Sequence, residues 1–180
     1  EYGQLGNGKR AHEYIPYKVK LPNDKAEKVV CGKYHTVVLS TKGNVYAFGL
    51  NNQGQLGIGN RKNCDVPHRV SFPERVKITK ISAGVHTAAL TNMGQMYVWG
   101  PCILGECLTP QRVCRNVDLI SDVQIAPNMT SILDFKGRLW TLGSHKPGEL
   151  GVQSLDARTL GSQVRTLREK KVKSIVCARD

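Results

Sequence analysis

Shifted by 51 residues, this chain matches itself. Gly3-Gln4-Leu5-Gly6 falls on Gly54-Gln55-Leu56-Gly57, Pro16 and Val19 on Pro67 and Val70, and His35-Thr36 on His86-Thr87. Leu39, Gly43, Tyr46 and Gly49 fall on Leu90, Gly94, Tyr97 and Gly100. Such a repeat constrains the fold more than any single motif, because each unit must bury its apolar face against a copy of itself. A third copy follows at a shift of 43, placing Pro67, Val70, Gly94 and Gly100 on Pro110, Val113, Gly137 and Gly143. The deletions can be located: Gly49 to Gly57 spans eight positions where Gly100 to Gly105 spans five, and Gly57 to Pro67 spans ten where Gly105 to Pro110 spans five. Both lie in loops, where a change of length has a small thermodynamic effect. A fourth copy begins at Gly143; Gly148-Glu149-Leu150-Gly151 restores the full spacing, and Cys177 answers Cys31. The units are 1–49, 50–100, 101–143 and 144–180.

Each unit reads as strands. HTVVLS (35–40) and HTAALT (86–91) are short apolar runs rich in β-formers; NVYAFG (44–49), QMYVWG (95–100) and RLWTLG (138–143) are the strands that follow. Glycine-centred turns at Gly43, Gly94 and Gly137 join them as hairpins. VVCG and KISAG supply a strand before each His, and the stretch around Pro67–Val70 supplies a fourth, with proline suited to an edge. No segment has sustained helical periodicity, although 165–173 could form one helical turn. About four short strands per unit of roughly 50 residues predict an all-β fold, a β-propeller rather than a solenoid of shorter repeats.

Gly32-x-x-His35-Thr36, then Leu39, Gly43-x-Val45-Tyr46-x-Phe48-Gly49 and Gly54-Gln55-Leu56-Gly57, resemble the repeats of the regulator of chromosome condensation (RCC1) family. The resemblance covers nearly the whole chain and implies a seven-bladed propeller, of which this chain supplies about three complete blades and partial blades at both ends. Seven blades need roughly 350 residues at that repeat length, so the 180 residues here are expected to be a segment of a larger propeller. Two departures stand out: the third unit has Met129 in the His slot with Pro127 before it, and Ala83-Gly84-Val85-His86 implies a one-residue change of register in the second.

Composition narrows the function. Six cysteines spread over 180 residues are too sparse for a disulfide scaffold. No basic-then-apolar leader and no run of about 18 apolar residues appears. Together these favour an intracellular setting, cytoplasmic before nuclear. The sequon at Asn128 is then expected to carry no glycan. The formal charge of +12 favours an acidic partner, although basic residues occur along the whole chain. The densest basic run holds Arg165, Arg168, Lys170, Lys171 and Lys173; Lys9-Arg10 and Arg61-Lys62 follow the two GQLG motifs at matching positions. These nine residues are the candidate partner contacts, weighed against a simple solvated loop or a lysine-protected edge strand.

No catalytic, cofactor or metal site is expected. His35 and His86 repeat with the scaffold, which favours a structural bond over catalysis; His12, His68 and His145 read as loop residues without companions. Cys102, Cys107 and Cys114 lack the Cys-x2-Cys spacing of a zinc knuckle. Cys31 and Cys177, at equivalent positions, are expected to be small buried hydrophobes. Gly54–Gly59 lacks the Lys-Ser/Thr ending of a phosphate loop. Trp99 and Trp140 read as core, too few for the tryptophan-cluster photoreceptor that shares this fold. Three functions follow from the resemblance and the charge. The first is a non-enzymatic interaction propeller in a large host, with ubiquitin ligases of the HERC or Highwire-like (PHR) type, ciliary scaffolds and kinases as candidate hosts. The second is guanine-nucleotide exchange on a Ran-like small GTPase, which the short units and the absence of an inserted wedge disfavour. The third is chromatin, nucleic-acid or anionic-lipid docking through the basic surface.

Overall fold

The computed structural model describes residues 1–102, 104–117, 119–126, 129–143, 162–167 and 169–177. They form three four-stranded antiparallel sheets in chain order, three successive propeller blades. The first contains β1 (Ala26–Cys31), β2 (His35–Ser40), β3 (Val45–Gly49) and β4 (Cys64–Arg69). The second contains β5 (Ile78–Ala83), β6 (Thr87–Thr91), β7 (Met96–Cys102) and β8 (Gly105–Val113). The third contains β9 (Ile120–Ile125), β10 (Met129–Asp134), β11 (Leu139–Gly143) and the two-residue β12 (Ser162–Gln163), followed by a single 3-10 turn at Arg165–Leu167. The fourth GQLG-like motif at Gly148–Gly151, together with Pro127, Asn128, His145 and Arg168, lies outside the described residues.

The sequence periodicity accounts for the packing. β2, β3 and β6 are buried at every position, as strands sandwiched between neighbours must be. Trp99 and Tyr97 are completely buried between the first two blades, and Phe72, on the chain joining those blades, meets both rings edge-on at 5.9 and 5.5 Å. The valines that repeat at the outer edge, Val70, Val113 and Val164, are all buried. The second and third blades share a further core that includes Leu90, Met96, Ile120, Val123 and Ile132. Each such side chain contributes roughly 1.5–3 kcal/mol when buried.

Register explains the departures noted above. β1 pairs Cys31 with Thr36, whereas β5 pairs Ala83 with Thr87, so the second inner hairpin is one residue shorter. The third returns to the first length, with Ile125 opposite Thr130. Met129 takes the place of His35, opposite Gly143 as His35 is opposite Gly49.

The β2–β3 turn and its two counterparts each rest on one polar anchor. Ser40 Oγ accepts a hydrogen bond from Asn44 N at 3.1 Å, and Thr91 Oγ1 accepts from Met93 N and Gln95 N at 3.2 and 3.1 Å. In the third blade Asp134 accepts from Lys136 N and Arg138 N at 2.9 Å each and, through Oδ2, from Arg138 Nε at 2.6 Å and Trp140 Nε1 at 3.0 Å. Burial pushes the Asp134 carboxyl up, but this set of donors outweighs it and holds the group below its ordinary pKa.

Three expectations need correction. Cys31 is exposed and Cys177 half-buried, because β1 has a described sheet on one side only and residue 177 lies in a segment that is not part of a sheet. His68 lies in β4, paired with Ala47 at the outer edge, rather than in a loop. Trp99 is core, but Trp140 is half-buried, its indole N–H engaged by Asp134 and its ring stacked under Arg138 at 5.4 Å.

Candidate functional site

The repeated polar residues meet at the seams between blades. His35 Nε2 lies 2.9 Å from Thr87 Oγ1, and His86 Nε2 lies 3.2 Å from Thr130 Oγ1. Thr87 Oγ1 donates its one hydrogen to the Gln55 carbonyl at 2.9 Å, so His35 Nε2 is the donor of the first bond, which fixes the imidazole tautomer. Thr36 donates equivalently to the Gln4 carbonyl at 2.8 Å. Burial lowers the pKa of both rings to about 4, for His35 with a smaller contribution from the neighbouring His86. Neutral imidazoles bonded across a seam hold blades together, and among the described residues neither ring is paired with a carboxylate.

The GQLG motif completes the first seam. The loop from β3 to β4 carries Gly54–Gly57 onto the second blade, where Gly57 lies flat against Trp99. A Cβ there would come within 2.7 Å of the indole, at a backbone φ of +68° that side chains rarely adopt. Gly6 meets Phe48 in the same way, at φ +67° and 2.7 Å. Asn51, fully buried, organises this loop: its side chain accepts from Leu56 N at 2.9 Å and donates to the carbonyls of Asn60 and Lys62 at 2.8 and 3.1 Å. Nothing in the sequence marked Asn51, since Cys102 stands at the equivalent position one unit later.

The candidate partner contacts divide between the two ends of the blades. Because neighbouring strands run antiparallel, the β3–β4 loops and the β2–β3 turns emerge at opposite rims, here termed the loop rim and the turn rim. Lys9, Arg10, Arg61 and Lys62 lie on the loop rim. There Arg10 Nε faces Asp65 at 3.5 Å, Arg61 faces Glu106 of the second blade at 2.7 Å, and Lys9 faces Glu13 at 3.5 Å. Lys62 is exposed. Arg165 stands in the 3-10 turn, and Lys170, Lys171 and Lys173 are exposed in the segment after it. That segment reaches the turn rim, where Val172 N donates to Gly137 O at 2.9 Å. The basic run and the two loop pairs therefore do not converge.

Other chemistry is sparse. Cys102 and Cys107 face each other across β7–β8 with sulfurs 3.7 Å apart, while Cys114 is buried separately. Among the described residues no three His, Cys, Asp or Glu side chains converge as a metal-ligand set, and no helix is long and apolar enough to cross a membrane. A pocket of about 290 Å³ is lined by Leu5, Asn7 and Glu13–Tyr17, but its polar groups already bond each other, Asn7 Nδ2 donating to Glu13 at 3.1 Å.

Comparison with known proteins agrees with this geometry. The regulator of chromosome condensation (RCC1) repeat matches residues 1–39 and 42–90, and a second profile of the same repeat matches 26–55. The human regulator of chromosome condensation is 34% identical over 179 residues, covering 91% of this chain and 42% of that protein. The ultraviolet-B receptor UVR8 of Arabidopsis thaliana is 28% identical over 186 residues, covering 97% of this chain and 42% of the receptor. Human HERC6, a probable E3 ubiquitin-protein ligase, is 29% identical over 166 residues, covering 83% of this chain and 16% of the ligase. Among solved structures, human WBSCR16 superposes with a TM-score of 0.77 at 17% identity, covering 90% of this chain and 44% of that one. Prp20p of Saccharomyces cerevisiae, studied with its binding to Gsp1p and histones, gives 0.73 at 18%, covering 89% and 44%. The chain thus spans less than half the length of each of these proteins.

Proposed function

Because the chain belongs to the regulator of chromosome condensation (RCC1) repeat family, we propose that it is a non-enzymatic protein-interaction propeller. It serves a larger protein as a substrate- or partner-docking module, with a ubiquitin ligase as the host. The carrying observation is the engagement of the repeated polar side chains in the seams: His35, His86 and Thr87 are consumed by seam bonds, Thr87 donating to the backbone carbonyl of Gln55, which leaves recognition to the rims. The likeness to HERC6 supports a ligase host. Six free cysteines support a reducing compartment inside the cell.

A second reading, guanine-nucleotide exchange on a Ran-like GTPase, is favoured by the 34% identity to the human regulator of chromosome condensation. Release of labelled guanine nucleotide from a panel of small GTPases separates the two. The interaction reading expects no acceleration by this chain, and faster release on any member would replace it with the exchange reading.

A further inference from the structure

The two rims use their charge differently. On the loop rim, Arg10 and Arg61 are matched by Asp65 and Glu106. On the turn rim, each turn is bonded to the segment that enters the inner strand of its own blade, and the first two also to the segment that enters the next. Thr41 N donates to Lys25 O at 2.9 Å and Ile78 N to Gly43 O at 3.3 Å. Asn92 N donates to Lys77 O and Ile120 N to Gly94 O, both at 3.0 Å; Phe135 N then donates to Leu119 O at 3.0 Å. These bonds impose an order around the rim. Lys42 and Lys77 come first, then Met93, Leu119 and Phe135, then Lys136 and Lys171, whose Cα packs against Gly137.

The three apolar side chains are 63%, 58% and 70% exposed and stand on successive backbone segments bonded to one another, whereas the first turn of the rim is polar. No described carboxylate lies within ion-pair distance of Lys77 or Lys171. Asp24, which acts on Lys42, is itself held by Asn44 Nδ2 at 2.8 Å, and Asp134 is fully buried. Exposed apolar residues bracketed by Lys77 and Lys171 form a surface with both an anchor and a sign.

We propose that this arc of the turn rim docks a segment of a partner protein in which an aliphatic or aromatic anchor is flanked on both sides by aspartate or glutamate. The assignment rests on the interaction reading above and gives that partner its chemistry. A nucleic-acid backbone fits the arc less well, because its phosphates would cross three apolar side chains in the middle of the track. A bilayer fits less well too, because the lysines stand at the two ends of the apolar centre and not around it.

The test selects a random-peptide display library on the intact chain and measures the enriched peptides by fluorescence anisotropy. The targets are the wild type, Met93→Ser/Phe135→Ser, Lys77→Glu/Lys171→Glu and, on the loop rim, Arg61→Glu. All five side chains are exposed, and matching thermal unfolding of each variant with the wild type establishes that it folds. The expected peptides place an apolar residue between acidic ones, lose at least about tenfold in affinity on either turn-rim variant, and bind Arg61→Glu as they bind the wild type. No enrichment, peptides without acidic flanks, or binding indifferent to both turn-rim variants overturns the proposal. So does duplex DNA or a phosphatidylserine vesicle that binds better than the peptides and is lost in the same variants. Peptides that depend on Arg61 remove the arc and leave the interaction reading standing. Nucleotide release accelerated in the GTPase assay removes the interaction reading itself.

Discussion

The seam between the first and second blades and the seam between the second and third share one device and differ in another. Both carry a histidine bonded to a threonine of the next blade, at 2.9 and 3.2 Å. Only the first is overlaid by a GQLG loop, with Gly57 on Trp99 and Gln55 O accepting from Thr87. In the second blade that loop is replaced by a tight connection: β7 and β8 stay paired out to Cys102 and Gly105, and a Cβ on Gly105 would meet nothing within 4 Å. The histidine bond is therefore common to both seams, and the GQLG loop is a reinforcement that one unit can lose.

Acidification tests the shared device and carries the largest expected effect. The unfolded chain protonates its histidines near pH 6.5, while both folded rings resist until about pH 4. Between those values the unfolded state binds more protons, so stability falls as pH falls. Each ring contributes about 3 kcal/mol to that loss, measured as the denaturation free energy from pH 7 to pH 4. The double variant His35→Gln/His86→Gln should flatten the slope; an unchanged slope would refute the assignment of both buried rings as neutral. Asp24 and Asp134, both held below the ordinary carboxylate value, act at lower pH.

Glycine substitutions test the device that differs. Gly57→Ala forces a Cβ into the Trp99 ring at positive φ and should cost about 3 kcal/mol in guanidinium denaturation. Gly105→Ala keeps the unfavourable φ of +90° without the collision, and should cost about 1 kcal/mol. Equal effects would mean that the loop adds nothing to the first seam. Thr87→Val lies between them: it leaves the His35 N–H and the Gln55 carbonyl without a partner, a loss of about 2 kcal/mol by the same measurement. Arg61→Ala should matter least. Its pair with Glu106 is solvent-exposed, so the change is expected below about 0.5 kcal/mol and smaller still in high salt.

Much of this was legible in the sequence because repetition labels equivalent positions. Strands, glycine turns and the structural role of His35 and His86 followed from copies lying 51 residues apart. What escaped was whatever lacked a copy or depended on distant neighbours. Asn51 has Cys102 at the equivalent position one unit later, so repetition did not label it. Asp134 fills a slot held by Ser40 and Thr91, so its change of chemistry hid its constant role as turn anchor. The basic pairs after GQLG were readable as one face, but not that Asp65 and Glu106 come up to meet them. The arc of the turn rim draws on positions from Lys42 to Lys171, and no window of sequence contains it.

The seam bonds also have a direction in time. His35 bonds a threonine 52 residues later, and His86 one 44 residues later. A ribosome therefore releases each imidazole well before the hydroxyl it will pair with. Until its successor is made, the first or the second blade has its seam histidine without the threonine partner. Each seam can therefore close only after the later of its two blades has been synthesised.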